Sequence, residues 1–254
     1  MRTVAIVQAR AGSSRLPNKV MMDLCGHPVL WHIYDRVRRS KWVDDFVVAT
    51  SVMPENDGIE AFALQNGIHV FRGSEENVLE RFYLAAKEAA AEAVIRLTGD
   101  NALVCPEIID KGAAYFGQTQ ALDYLCYREG LPLGLSVEVM GFHALERAYQ
   151  EADDAECLEH VTPYLYRNPG QFHCYRYPCI GEDYSSIRWT MDRQEDYRLV
   201  RNIYESLYTE GGCFGYQEAL QIYLAHPQWA GLNSSVVQKK VLYSGNHLQD
   251  KQNK

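Results

Sequence analysis

Residues 4–19 read VAIVQARAGSSRLPNK, and the two halves of that stretch ask for different backbones. The apolar, β-branched run at 4–7 has the length and composition of a buried strand. Gly12, Ser13, Ser14 and Pro17 then break regular structure and demand a loop. Gly12 lets backbone N–H groups approach an anion, and the two serines add hydroxyl donors. Arg10, Arg15 and Lys19 bring three positive charges to the same short turn. A strand feeding such a turn is the arrangement a phosphate loop requires, although neither G-x-x-x-x-G-K-[ST] nor G-x-G-x-x-G is present.

The pattern repeats downstream. Residues 46–50, 69–71 and 93–98 read as further buried strands. Between them lie a helix opening at Pro28, with Val29, Leu30, Ile33, Tyr34 and Val37 on one face, a helix from Asp57 to Asn66 closed by Gly67, and a helix over 77–90. Strand and helix alternating at these spacings predicts parallel crossovers, an α/β fold with a doubly wound, mostly parallel sheet, and ligand-binding loops along one sheet edge. Arg36, Arg38 and Arg39 read as a solvated helix face.

Asp100 follows the strand at 93–98 directly. An acid there can hold Mg²⁺ over a nucleotide, since Mg²⁺ takes carboxylate oxygens together with substrate phosphates. Beyond 123 the pattern changes to shorter strands at 123–127, 135–140 and 173–178, with helices near 143–152 and 158–167. A last apolar strand at 187–191 leads into Asp192 and a long helix, where Glu195 and Asp196 suit the N-terminal end of the helix dipole.

The chain has 254 residues, 47% hydrophobic and 23% charged, with a formal charge of −8. That balance fits an ordinary globular protein and argues against a nucleic-acid binder, whose face would be broadly basic. Seven cysteines without paired spacing predict reduced packing residues. The absence of a membrane-length apolar run and of a signal-peptide layout predicts a cytoplasmic protein.

The order A-R-x-G-S-x-R-L-P-x-K resembles the signature of the sugar-acid cytidylyltransferases, and within them the spore-coat polysaccharide type. FRGSEENVLERF, RLTGDNALVCPEIID, GLSVEVM, LEHVTPYLYRNP and IRWTMDRQEDYRLVRNIYESL match the same family in order. Ala102 and Cys105 stand where the family usually has Pro and Asp. The resemblance implies a Rossmann-like nucleotidyltransferase domain over 1–235, an acceptor-side subregion at about 123–180, a polar tail at 236–254 and a homodimer. It assigns CTP binding to Ala9, Arg10, Gly12, Ser13, Arg15 and Lys19, and base or ribose contacts to Arg72, Ser74 and Arg81. It assigns Mg²⁺ to Asp100 and Asp192, and an anionic acceptor, first of all a sugar acid, to Glu138, Glu159 and His160. The implied reaction is CMP transfer from CTP with release of pyrophosphate, with Arg10, Arg15, Lys19, Asp100 and Asp192 as the catalytic set. Three readings compete. A transferase for another nucleoside triphosphate would use the same loop, a glycosyltransferase would normally show a D-x-D element, which is missing, and a nonenzymatic nucleotide sensor would bind without turnover.

Overall fold

The computed structural model describes residues 1–128, 130–178 and 181–236. Strand β1 (Thr3–Gln8) is followed by a small hairpin of β2 (Asp23–Leu24) and β3 (His27–Pro28), then α1 (Val29–Val37), β4 (Asp45–Ser51), α2 (Asp57–Gln65), β5 (His69–Gly73), α3 (Val78–Glu88) and β6 (Ala93–Thr98). Along β1 the side chains alternate between two cores, Ala5 and Val7 in one and Val4 and Ile6 in the other. A strand apolar on both faces must lie between two helical layers. Here α1, α2 and later helices cover one face, while α3 covers the other.

After β6 come α4 (Pro106–Gln118), β7 (Tyr124–Tyr127), β8 (Val137–Gly141), α5 (Phe142–Glu151), α6 (Ala155–His160), α7 (Pro163–Arg167), β9 (Cys174–Tyr177), α8 (Gln194–Leu207) and α9 (Tyr216–Ala225). Among the described residues the main sheet runs β5-β4-β1-β6-β8-β7-β9. The pairs β5·β4, β4·β1, β1·β6 and β7·β9 are parallel, and β8 is antiparallel to both its neighbours. The doubly wound, mostly parallel sheet is therefore present, with the one inverted strand β8 between β6 and β7.

Four local expectations need correction. Arg36 is buried, not solvated: it lies two turns from Val29 on the apolar stripe, and its guanidinium donates to the carbonyls of Val104 (2.5 Å) and Phe214 (2.8 Å). The helix expected to open on Asp57 has Asn56 at its cap position, and the Asn56 side chain is drawn away to Ala11 and Ser51. The single helix expected at 158–167 is split between α6 and α7 by a γ-turn at Val161 (φ 70°, ψ −54°), where the Thr162 N–H donates to the His160 carbonyl at 2.8 Å. Finally, 187–191 is no sheet strand. Among the described residues it is a strap bridged only to Leu133 and hydrogen-bonded through Met191 N–H to the Asp100 carbonyl at 2.9 Å. The expected tail lies almost wholly outside the described residues, which stop at Val236.

Candidate active site

From β1 the chain moves outward to β4 and β5, then returns to the other side of β1 as β6, so Gln8 and Thr98 end up side by side. Ligands of doubly wound sheets bind at such a switch point. The two loops leaving it pack directly together. The Gly99 N–H donates to the Gln8 carbonyl at 2.9 Å. A Cβ at Gly99 would meet Val20 Cγ1 at 2.6 Å and the Gln8 carbonyl oxygen at 3.0 Å, so only glycine allows this approach. The Val20 neighbour Lys19 is thereby brought against Asp100.

The basic loop after β1 folds on itself around the Ala11 carbonyl, which accepts the N–H groups of Ser13 (2.8 Å) and Asn18 (2.9 Å). Asn18 sits at φ 55°, a left-handed position that asparagine tolerates. Asn56 Oδ1 accepts the Ala11 N–H at 2.8 Å, so a residue from the α2 entry braces the loop from behind.

Lys19 Nζ is shared between two carboxylates, 3.2 Å from Asp100 Oδ2 and 2.9 Å from Asp192 Oδ1. Arg15 Nη2 lies 3.3 Å from Asp192 Oδ1. Burial works to lower the Lys19 pKa, but Asp100 and Asp192 outweigh it and raise it above the ordinary lysine value. Burial likewise pushes Asp192 up, yet Lys19, Arg15 and Arg188 prevail and hold its carboxyl below the ordinary aspartate value.

Behind Asp192 stands a buried network. Arg188 Nη2 donates to Asp192 Oδ2 at 3.0 Å, and the same guanidinium is held by both oxygens of Asp196 at 2.9 and 3.1 Å. Asp196 Oδ2 also accepts the N–H groups of Asp192 and Arg193, each at 3.0 Å, while Asn233 Nδ2 donates to Asp196 Oδ1 and to the Arg188 carbonyl. Asp196 is fully buried. Helix-dipole compensation, the role its sequence position implied, is thus the smaller part of what it does.

Arg15, Lys19, Asp100 and Asp192 face one open cleft of about 1490 Å³. Ala9, Arg10, Gly12, Ser13, Arg15 and Lys19 line its first wall, Asp100 and Asp192 its floor, and Ser74 and Arg81 its rim. Glu138, Glu159 and His160 line the far end. Arg72 stands outside it: its guanidinium is taken up by Asp57, Glu60 and the carbonyls of Ser51 and Met53. Arg81 is buried and works through the backbone, donating to the carbonyls of Ser74 (2.5 Å) and Glu75 (3.1 Å) to shape the rim loop. Glu138 points into the cleft and accepts from Arg96, Tyr124 and Thr162.

Sequence reasoning did not single out Arg96, Arg128, Asn56 or Arg188. Arg96 is readable in retrospect as a cation inside an otherwise apolar strand, a placement that requires a partner across the sheet. Ala102 and Cys105 are both fully buried. The Ala102 carbonyl accepts the buried Tyr204 hydroxyl at 2.6 Å, which ties the loop to α8 without a proline.

A doubly wound sheet with basic loop and paired aspartates at its switch point defines a nucleotidyltransferase fold, and the cytidylyltransferase family model matches residues 4–248. The chain belongs to that family, and is a CTP-dependent nucleotidyltransferase. It is 37% identical over 240 residues to an uncharacterized protein of Methanocaldococcus jannaschii, covering 94% of this chain and 97% of that one. It is 35% identical to the spore coat polysaccharide biosynthesis protein SpsF of Bacillus subtilis over 79% of this chain and 85% of that protein. Its fold superposes on a cytidylyltransferase of Leptospira borgpetersenii with a TM-score of 0.84 at 27% identity, covering 96% and 99% of the two chains.

Proposed function

We propose that this enzyme transfers CMP from CTP to an anionic acceptor, a sugar acid first of all, in the making of a surface polysaccharide. The observation that carries the reading is the Lys19 ammonium held by Asp100 and Asp192 at the mouth of a basic loop. An acceptor hydroxyl oxygen attacks the α-phosphorus, the bond from that phosphorus to the bridging oxygen breaks, pyrophosphate leaves with the bonding electrons, and the hydroxyl proton passes to water. Arg10, Arg15 and Lys19 bind the β- and γ-phosphates and meet the charge that builds on the leaving group. Lys19 leaves the aspartates to do so.

The residues present fit Mg²⁺. Among the described residues no three His, Cys, Asp or Glu side chains gather around one point. Two carboxylates plus phosphate oxygens and water are what Mg²⁺ takes at such sites, and the lysine ammonium already marks a cation position between them. Asp100 and Asp192 would hold the ion, which when bound supplies charge stabilisation and orientation at the α-phosphate.

At the far end, Arg96 and Arg128 supply positive charge for an anionic acceptor, with Glu159 and His160 placed to meet its hydroxyls. Glu138 already accepts from Arg96, Tyr124 and Thr162, so it acts on the acceptor through the side chains it holds in place. Ser74 and the loop shaped by Arg81 bound the base side. A homodimer also follows from the family resemblance, and a light-scattering mass of a single chain would reject it.

The test is a pyrophosphate-release screen of each of the four nucleoside triphosphates with Mg²⁺ against sugar acids and phosphonates. Release with CTP and a sugar acid supports the reading. Tight CTP binding without release from any acceptor would favour a sensor, and equal rates with UTP would remove the cytosine preference.

A further inference from the structure

Each of the two aspartates offers one oxygen to the cleft and has the other occupied from behind. Thr98 Oγ1 donates to Asp100 Oδ1 at 2.5 Å, while Asp100 Oδ2 faces Lys19. Arg188 Nη2 donates to Asp192 Oδ2 at 3.0 Å, while Asp192 Oδ1 faces Lys19 and Arg15. Lys19 Nζ marks the point on which the two inward oxygens converge. Neither backing donor is loosely placed. Thr98 is the last residue of β6, and Arg188 is buried with its guanidinium fixed by Asp196, which Asn233 fixes in turn.

A donor fixed on one carboxylate oxygen takes up one of its lone pairs and holds the group's orientation, which favours binding a cation through the other oxygen. Mg²⁺ accepts such ligands within a small octahedral shell, whereas Ca²⁺ gathers six to eight oxygens and readily uses both from one carboxylate. We infer that Thr98 and Arg188 are positioning residues that restrict Asp100 and Asp192 to one oxygen each, and so set the seat for a small octahedral cation against Ca²⁺. This rests on the reading of Asp100 and Asp192 as cation ligands given above and adds a selectivity to it.

The experiment follows the electron paramagnetic resonance signal of Mn²⁺ bound to the full chain with CTP, displaced by Mg²⁺ or by Ca²⁺, in the wild type, Thr98→Val and Thr98→Ser. Valine keeps the β-branched shape without the donor, and serine keeps the donor. In Thr98→Val, Ca²⁺ should gain about tenfold on Mg²⁺ as a competitor, the scale on which outer partners of metal ligands act. Thr98→Ser should keep the wild-type ratio. Thr98→Ala, which also lacks the hydroxyl, carries the same expectation as the valine variant. An unchanged ratio in both hydroxyl-free variants, with Mn²⁺ still bound, overturns the inference and leaves the cation reading standing. An equal change in Thr98→Ser overturns it too, by tracing the effect to packing. If no Mn²⁺ binds through the protein when CTP is present, the cation reading falls and this inference falls with it.

Discussion

Asp100 and Asp192 reach the same lysine by different means. Asp100 is delivered mainly by the β6 end: a strand, a glycine that admits close approach, and a threonine hydroxyl two residues back. Asp192 sits on a strap outside the sheet, and its place depends on Arg188, Asp196 and Asn233, the last of which comes from 45 residues beyond Arg188. One site is local geometry, and the other is a buried ionic network that holds only when every member is present. The supports behind the two aspartates should therefore fail differently.

The largest effect is expected from the network. Asp196→Asn keeps the shape but removes the charge that faces Arg188 and two backbone N–H groups. Breaking a buried pair from one side costs about 3–5 kcal/mol. Urea denaturation should show that loss, and with it the loss of turnover. A stability within about 0.5 kcal/mol of wild type, the range of ordinary surface changes, would mean that the network does not hold the strap.

Asp192→Asn separates chemistry from folding. The amide can still meet Arg188, so the fold should survive, while the inward oxygen loses its charge. Mg²⁺-dependent pyrophosphate release should drop by more than about a hundredfold, because even outer partners of a metal ligand are worth ten- to a hundredfold. Asp100→Asn should match it. Full activity in either variant would take that aspartate out of the seat.

How much of this was legible in the sequence follows the same division. The strands at 4–7, 46–50 and 93–98 were readable because burial on both faces leaves continuous apolar runs, and the loop after the first was readable from Gly12, Ser13 and Pro17. Asp100 follows from its place after such a run. The strap at 187–191 carries the same apolar pattern, but its backbone meets the single residue Leu133, the Tyr184 and Asp100 carbonyls and the Asn233 side chain in place of a second strand, and no local signal distinguishes that from a sheet strand. Arg36 and Arg188 were passed over for one reason. An arginine in a sequence shows its charge but not the distant carbonyls or carboxylates that make its burial favourable. The Asn56 brace on Ala11 is likewise invisible until α2 is folded against the loop.

Lys19→Met probes the group the two halves share. Its charge matters most when pyrophosphate leaves, so kcat should fall more than CTP affinity, by about tenfold or more, the worth of one charge-assisted hydrogen bond. The pH dependence of stability supplies a second readout. The depressed Asp192 carboxyl contributes stability that is present above its unfolded pKa and is lost as pH falls through the folded value. Without Lys19, burial is opposed only by Arg15 and Arg188, so the acid limb should begin at higher pH. Lys19 itself, with its pKa raised by the two aspartates, contributes stability present below its ordinary value and lost as pH rises through the folded one. The variant should lack that alkaline limb. Identical urea midpoints across pH in both proteins would show that the ammonium is not seated between the aspartates.

The smallest effect is expected at Arg72, where the family motif and the folded chain part company. Its place after β5 in FRGSEEN matches the base loop of the family, yet the guanidinium turns back along the sheet edge. Its Nη2 is 2.8 Å from Asp57 Oδ1, its Nη1 is 2.6 Å from Glu60 Oε2, and its remaining donors meet the carbonyls of Ser51 and Met53 at 3.0 Å each. Such a side chain pins α2 and the β4 exit to β5, with four of its five N–H donors engaged away from the cleft. Arg72→Ala should therefore leave the KM for CTP within about twofold, since no transition-state or ground-state contact is removed. Stability should fall by about 1 kcal/mol or less, as expected of partly exposed ion pairs. Arg81→Met is the companion variant: that guanidinium holds the Ser74 and Glu75 carbonyls at the cleft rim, so the KM for CTP should rise there and not at Arg72. A tenfold rise in KM on Arg72→Ala would return Arg72 to the base site and show that its carboxylate partners release it when nucleotide binds.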